Sequence, residues 1–159
     1  MKKTILIVVA LLVLQVTAVA QNRKVYDEHL NAMAQIDNAL KKAEAEGKYV
    51  LCQVGGNWCP WCIRFAEYAD TNAAVKKIIK ENFVYIHINW SKGNKNPEAM
   101  QRLGNPARFG FPVFVILNRD GHPIHIQNSA YLEEGKGYSE KKVSEFLLNW
   151  TEQAVTTLK

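Results

Sequence analysis

The segment that decides the fold is NWCPWC, residues 57–62. It follows a short and almost continuous apolar run over 49–54, which is typical of a strand covered on both faces. Two glycines then end the strand, and Pro60 fits the first turn of a helix, where a missing N–H costs nothing. The sequence therefore places Cys59 and Cys62 at the N-terminus of a helix.

The two-residue spacing between Cys59 and Cys62 suits reversible disulfide chemistry. At a helix N-terminus the Cys59 side chain meets unpaired N–H groups and the positive end of the helix dipole, which favour the thiolate. Cys59 is therefore predicted as the nucleophile, and Cys62, one turn further and more buried, as the thiol that resolves the mixed disulfide. A static bridge or half of a zinc site is the alternative. A four-ligand zinc site needs a second Cys or His pair, and His87, His122 and His125 lack that spacing.

Apolar spacing in the rest of the chain predicts alternating helices and strands. The predicted helices cover 27–46, 60–69, 72–80, 97–103 and a final segment capped by Ser139. The predicted strands cover 49–54, 83–89, 113–117 and 122–127, and an Asp-Gly turn joins the last two into a hairpin. This order predicts an α/β fold, in which a central mixed β-sheet is flanked by helices and preceded by an additional N-terminal helix.

The first and last of these helices have apolar faces that should pack into the core. The predicted face of the first helix consists of Leu30, Met33, Ile36, Leu40 and Ala43. The predicted face of the last helix consists of Val143, Phe146, Leu147, Trp150 and Ala154.

Length and composition fit one compact domain. The chain has 159 residues, of which 48% are hydrophobic, and its formal net charge is +5. Lysines alternate with glutamates, and no basic stripe is interleaved with aromatic residues, so the sequence gives no support to nucleic-acid binding. We therefore expect a single domain over 21–159 with a solvated charged surface.

Residues 1–20 have the features of a signal peptide. Lys2 and Lys3 give a positive start, an apolar run follows, and small residues at 18–20 form a cleavage site. The apolar run is shorter than the roughly 20 residues that span a bilayer, so we expect cleavage before Gln21 and no membrane insertion afterwards. An uncleaved membrane anchor is the alternative. Export, with the bacterial periplasm as the expected compartment, would place the cysteine pair where disulfides persist.

Taken together, these features resemble the thioredoxin superfamily. The resemblance rests on residues 57–62 after a buried strand and on Gly110-Phe111-Pro112 where the hairpin opens, and it covers nearly the whole chain after the signal segment. The extra N-terminal helix and the Trp-Cys-Pro-Trp-Cys sequence look most like secreted bacterial thioredoxin-like proteins and the C-terminal domain of the membrane thiol–disulfide interchange reductase. The resemblance implies a thioredoxin-like fold.

The resemblance also implies roles for Pro112 and Phe111, and two tryptophans beside the cysteines are further candidates. In the family, the proline that matches Pro112 is cis and lies against the cysteine pair, and the residue before it, here Phe111, offers backbone groups to an extended substrate. Trp58 and Trp61 border the cysteines and are candidates for an apolar platform under that substrate. Simple packing is the alternative for Trp61.

Two further positions concern the cysteine chemistry. Cys52 lies in the middle of the strand over 49–54 and is interpreted as a small buried hydrophobe rather than a redox residue. Where thioredoxin has a buried acid six residues before its first cysteine, this chain has Gln53, whose amide cannot take a proton from the resolving thiol. Either water or another acid assists proton transfer, or resolution is slower. Glu67 and Asp70 on the following predicted helix are candidates for that acid, and a surface position is the alternative for both.

The resulting functional hypothesis is an enzyme that exchanges disulfides with exported protein substrates. It would need no organic cofactor and no metal, and it would draw electrons from a membrane reductase. Because no ionisable residue lies between the cysteines, we expect the protein to act as a reductant. The alternative is a non-catalytic binding protein that uses the thioredoxin scaffold to carry a metal or to bind a partner.

Overall fold

The computed structural model describes residues 24–157. The predicted signal segment over 1–20 lies outside these residues. No helix among those described is both long enough and apolar enough to cross a membrane.

Helices and strands alternate along the described chain. The helices are α1 (Ala32–Glu46), α2 (Pro60–Thr71), α3 (Ala73–Asn82), α4 (Pro97–Arg102), α5 (Glu140–Asn149) and α6 (Glu152–Thr156). The strands are β1 (Tyr49–Gly55), β2 (Phe83–Asn89), β3 (Val113–Leu117), β4 (Pro123–Asn128), β5 (Glu133–Glu134) and β6 (Gly137–Tyr138). Two 3₁₀ turns cover Pro106–Phe109 and Ser129–Leu132.

Four strands form the central sheet in the order β2-β1-β3-β4. β1 is parallel to β2 and antiparallel to β3, and β3 is antiparallel to β4, so the predicted mixed sheet is confirmed. Every residue of β1 and β3 is buried, as their continuous apolar sequences indicate.

The alternation of side chains along β1 divides the core into two layers. Val50, Cys52 and Val54 face a cluster that contains the buried side of α1, including Ile36 and Ala43. The residues between them face the opposite side of the sheet, where α2, α3 and α5 contribute the apolar side chains Phe65, Ala69, Val75, Ile79, Val143, Phe146 and Leu147. The predicted flanking of the sheet by helices on both faces is therefore confirmed.

The first helix begins later than predicted. Asn31 is its N-cap, with a side chain that accepts a hydrogen bond from the backbone N–H of Ala34, and the helix starts at Ala32 rather than at position 27. Upstream, the Asp27 carboxylate accepts from the backbone N–H of His29 in a separate turn. Leu30 therefore lies outside the helix and is exposed, which corrects its assignment to the core face.

The C-terminal helix is also divided. α5 ends at Asn149, and Thr151 caps the short α6 by accepting from the backbone N–H of Ala154. This break turns Ala154 outward, so its predicted inward position was wrong. Trp150 instead packs at the edge of the core, with its ring stacked on that of His125 at 4.1 Å between centroids.

Candidate active site

The redox cysteines lie at the junction of β1 and α2. Cys59 is the N-cap of α2, and its sulfur accepts a hydrogen bond from the backbone N–H of Cys62 at 3.2 Å. The two cysteines form a disulfide, with their Cα atoms 5.2 Å apart. The expected position of the pair at a helix N-terminus is confirmed, and Pro60 occupies the first helical position, where its missing N–H leaves no orphan donor.

Solvent access differs between the two sulfur-bearing residues. Cys59 keeps 5% of its surface exposed, whereas Cys62 is completely buried. A partner thiol or disulfide can therefore approach only from the side of Cys59. Because the free N–H groups and the helix dipole also act at this position, the geometry can stabilise a Cys59 thiolate in the reduced protein.

The loop before β3 packs against the disulfide. The Phe111–Pro112 peptide bond is cis, as the resemblance implied, and Pro112 is buried. The Phe111 side chain packs against the small cluster that contains both cysteines. The structure thus brings Cys59, Cys62, Phe111 and Pro112 to one place.

An aromatic patch adjoins the cysteine pair and consists of Trp58, Trp90 and Phe111. The ring centroids are 5.5 Å apart for Trp58 and Phe111 and 4.8 Å apart for Trp90 and Phe111. Trp58 is 51% exposed, and its indole N–H donates to the backbone carbonyl of Trp90 at 2.7 Å. The patch is therefore a fixed and accessible apolar surface.

Trp90 was missed by the sequence analysis. It follows β2 directly, and its backbone N–H donates to the carbonyl of Gly55 at 2.6 Å, which extends the pairing of β1 and β2 towards the cysteines. The local sequence around Trp90 contains no motif that points to the redox site. The residue reaches the site because β2 pairs with β1 in this parallel register.

Trp61 has a different environment from Trp58. Its ring packs edge-on against Tyr138 with centroids 5.4 Å apart, and the Arg64 guanidinium lies 4.6 Å from the ring centroid. The Tyr138 hydroxyl also donates to the backbone carbonyl of Trp61 at 3.1 Å. These contacts hold the Trp61 ring and its backbone in place, and the ring stays only partly buried beside the cysteines.

Gln53 lies behind the disulfide, fully buried in β1. Its amide nitrogen donates to the backbone carbonyl of Cys62 at 2.9 Å and to the Tyr26 hydroxyl at 2.5 Å. Its amide oxygen accepts from the Tyr85 hydroxyl. The polar cluster formed by Gln53, Tyr26 and Tyr85 thus lies at the position where thioredoxin has a buried acid.

Cys52 lies on the opposite face of β1 and takes no part in this site. Its side chain is completely buried in the cluster beneath α1, and burial raises the pKa of its thiol to about 12. A thiol that stays protonated and inaccessible is a poor nucleophile. Its interpretation as a small buried hydrophobe is therefore confirmed.

We expect the Cys52→Val variant to exchange disulfides at close to the wild-type rate. The substitution replaces one small apolar side chain with another of similar volume, so the free energy of unfolding should change by less than about 1.5 kcal/mol. Denaturant unfolding and a disulfide exchange assay measure the two effects. A folded Cys52→Val protein without activity would instead place Cys52 in the mechanism.

Metal ligands do not gather at the site. Within residues 24–157 no three His, Cys, Asp or Glu side chains come close enough together to hold a metal ion. The cysteine pair has apolar and aromatic neighbours, namely Tyr26, Val25, Trp61, Ile63 and Phe111.

A family model described as thioredoxin-like matches residues 31–119, a range that includes both cysteines and Pro112. The chain belongs to the thioredoxin-like family. The resemblance to the thioredoxin superfamily is therefore confirmed, and the cysteine pair able to form a disulfide identifies a thiol oxidoreductase in general terms.

Among curated proteins, the chain is similar to thiol:disulfide interchange proteins. The thiol:disulfide interchange protein DsbD of Colwellia psychrerythraea is 25% identical over 104 residues, which cover 64% of this chain and 16% of that protein. The protein of the same name from Klebsiella pneumoniae is 25% identical over 104 residues, which cover 65% and 17%. The aligned region thus spans about a sixth of the length of these relatives.

Solved structures of thioredoxin-like proteins share the fold. A disulphide isomerase from Xylella fastidiosa superposes with a TM-score of 0.70 and 26% identity, covering 80% of this chain and 96% of that one. A thioredoxin from Thermus thermophilus superposes with a TM-score of 0.55 and 18% identity, covering 74% and 85%. The superposition on the disulphide isomerase covers four fifths of this chain, so the thioredoxin-like fold accounts for most of it.

Proposed function

We propose that the protein is a thiol–disulfide oxidoreductase that exchanges disulfides with exported protein substrates and acts as a reductant. The observation that carries this proposal is the placement of Cys59, slightly exposed, at the N-terminus of α2 with Cys62 buried directly behind it. The cysteines of a structural staple need no such difference in access. A nucleophile and a resolving thiol do.

The proposed reaction has two exchanges. The Cys59 thiolate attacks one sulfur of the substrate disulfide, forms a mixed disulfide and releases the other substrate sulfur as a thiolate. The Cys62 thiolate then attacks Cys59, the Cys59–Cys62 disulfide forms, and the second substrate sulfur leaves as a thiolate. Two electrons pass to the substrate, so a separate reductant must restore the dithiol. We assign that role to a membrane electron-donor reductase.

The aromatic patch and the Phe111–Pro112 loop form the proposed substrate-binding surface. Trp58 offers an exposed ring beside Cys59, and Phe111 joins the other two rings of the patch to the cysteine cluster. An extended peptide lying on this surface would bring its disulfide to the accessible side of Cys59. Trp61, partly buried beside the cysteines, belongs to the proposed surface and also packs against Tyr138.

The reductive direction is supported by the residues that lie between the two cysteines. Pro60 and Trp61, the residues between the cysteines, carry no ionisable group, so the helix terminus supplies most of the stabilisation of a Cys59 thiolate. A less stabilised thiolate corresponds to a lower reduction potential. Gln53 acts in the opposite sense, because a neutral amide stands where a buried carboxylate would disfavour the thiolates.

We expect equilibration with glutathione buffers to give a potential nearer to about −270 mV, the value of thioredoxin, than to about −120 mV, the value of the strongest bacterial oxidant. The reduced fraction at each buffer ratio is measured by alkylation of free thiols. A potential close to the oxidant's would contradict the proposed direction and would show that another group stabilises the Cys59 thiolate.

Export is part of the same proposal. The signal-like features of residues 1–20 and the similarity to thiol:disulfide interchange proteins support a protein that works in the periplasm after cleavage of that segment. Sequencing the N-terminus of the mature protein from the cell envelope tests this directly. A mature chain that begins at Met1 would support the membrane-anchored alternative.

A second candidate function is a non-catalytic module that binds a metal or a partner on the thioredoxin scaffold. Metal analysis of the purified protein beside thiol titration separates the two functions. A stoichiometric, tightly bound metal together with inert cysteines would favour the binding module. Reactive thiols that cycle between reduced and oxidised forms would favour the oxidoreductase.

A further inference from the structure

The segment before α1 packs against the redox cysteines and is held there by Asn57. The Asn57 side-chain oxygen accepts from the backbone N–H groups of Val25 and Tyr26, both at 3.0 Å. Its side-chain nitrogen donates to the backbone carbonyl of Tyr26 at 2.7 Å. These three hydrogen bonds fix the backbone of Tyr26 to the residue that lies two positions before Cys59.

The Tyr26 side chain is buried in the cluster formed with Cys59 and Cys62. Its hydroxyl and the Cys62 sulfur border the same small space beside the backbone of Gly55. A Cβ atom on Gly55 would lie 2.5 Å from the Cys62 sulfur and 2.9 Å from the Tyr26 hydroxyl oxygen. Glycine at this position therefore leaves room for the hydroxyl and the sulfur to approach each other.

The hydrogen bonds of Gln53 determine how the Tyr26 hydroxyl is oriented. The two N–H groups of the amide are used by the Cys62 carbonyl and the Tyr26 oxygen, and the amide oxygen is used by Tyr85. The Tyr26 oxygen thus accepts from Gln53, which directs its own proton towards its other neighbours. The Cys62 sulfur is one of them.

Burial keeps this hydroxyl protonated. Loss of solvation raises the pKa of Tyr26 above its usual range, and this effect outweighs the hydrogen bond from Gln53, which lowers the pKa. The phenol is therefore a neutral donor throughout the pH range in which cysteine thiols titrate. The His87 ring lies edge-on to that of Tyr26 with centroids 5.5 Å apart, and Tyr85 packs against His87 with centroids 4.6 Å apart.

We propose that the Tyr26 hydroxyl donates a hydrogen bond to the Cys62 thiolate and so stabilises it as it attacks Cys59 in the mixed disulfide. This inference rests on the proposed oxidoreductase function and names a group that activates Cys62 at a site where, among the described residues, no buried carboxylate stands. The proton that Cys62 loses goes to the thiolate released in the first exchange. Tyr26 keeps its own proton, the Cys62–Cys59 bond forms, and the bond between Cys59 and the substrate sulfur breaks.

The test compares Tyr26→Phe with Tyr85→Phe, each in a Cys59→Ser background. Both substitutions remove a hydroxyl that is bonded to Gln53, but only Tyr26 borders the Cys62 sulfur. The Cys62 pKa is read from the NMR chemical shift of its isotope-labelled Cβ atom as a function of pH, which separates Cys62 from the Cys52 thiol, with its pKa raised to about 12, and from the tyrosines. This measurement needs no substrate, so its result does not depend on whether the protein turns over the proposed substrates.

We expect Tyr26→Phe to raise the Cys62 pKa by about one unit, which corresponds to the loss of a hydrogen bond to a charged group. Tyr85→Phe should change it by a few tenths of a unit at most. In proteins that retain Cys59, Tyr26→Phe should slow the release of a small thiol from the mixed disulfide by about threefold near neutral pH, because the roughly tenfold loss of thiolate is partly offset by the greater nucleophilicity of a more basic thiolate. At high pH, where Cys62 is ionised in both proteins, Tyr26→Phe should no longer be the slower of the two, because its more basic thiolate is the better nucleophile.

A monofluorinated tyrosine at position 26 should shift the Cys62 pKa in the direction opposite to Tyr26→Phe. This more acidic phenol has almost the same size and is a stronger donor, so it should lower the Cys62 pKa, a change that a packing role does not produce. Thermal unfolding of each oxidised protein establishes that it is folded. An unchanged Cys62 pKa in folded Tyr26→Phe, or equal shifts in Tyr26→Phe and Tyr85→Phe, overturns the proposal.

Discussion

Replacing Cys62 with serine should trap the protein on its substrates as a stable mixed disulfide. The nucleophile remains in place at the helix N-terminus, whereas the buried thiol that would release the substrate is missing. Turnover should fall to the uncatalysed rate, while covalent complexes accumulate in the exporting cell. Non-reducing electrophoresis followed by mass spectrometry of the trapped partners measures both effects.

The matched variant is Cys59→Ser, which should also abolish turnover but should trap no partner. Cys62 is completely buried, so the remaining thiol cannot reach an external disulfide. In the reduced wild-type protein, Cys59 should likewise alkylate much faster than Cys62 near neutral pH. Complexes on Cys59→Ser in place of Cys62→Ser, or equal alkylation rates, would reverse or remove the assigned roles.

The Gly55→Ala variant should lose stability and redox function together. An added Cβ would stand 2.5 Å from the Cys62 sulfur and 2.9 Å from the Tyr26 hydroxyl, in a region where both neighbours are buried. Overpacking of this kind costs about 1–3 kcal/mol, which exceeds the roughly 0.4–1 kcal/mol that a Gly to Ala change gains through the unfolded chain. Denaturant unfolding of the oxidised protein measures the difference.

Gly93→Ala is the control for this substitution. A Cβ at Gly93 would meet no atom within 4 Å, so the gain through the unfolded chain acts there without a clash. We expect a free energy of unfolding equal to or slightly above that of the wild type. A Gly55→Ala protein as stable as Gly93→Ala would show that the space beside Cys62 is not needed.

Much of this fold could be predicted from local sequence. The continuous apolar runs that became β1 and β3 are buried along their whole lengths, and the strand predicted over 83–89 has the bounds of β2. The redox role of the cysteine pair could also be predicted, because its spacing and the adjacent proline are typical of a reactive pair at a helix N-terminus.

The parts that could not be predicted depend on contacts between distant residues. Tyr26 lies 27 positions before Gln53, to which its hydroxyl is bonded, and no periodic pattern connects the two. Trp90 reaches the site because β2 runs parallel to β1 in one particular register. The start of α1 was placed too early because the apolar spacing continues through Leu30, while the choice of Asn31 as the cap depends on the turn before it.

The clamp of Asn57 on the chain before α1 changes where the working unit of this protein begins. The first helix starts at Ala32, and the family model matches from residue 31, so both would set a domain boundary after Tyr26. Yet Val25 and Tyr26 supply one wall of the disulfide site and the partners of the Asn57 side chain. The minimal redox unit therefore includes Val25 and Tyr26, and a fragment that begins at residue 31 would keep the regular helices and strands of the described chain while losing this wall of the disulfide site.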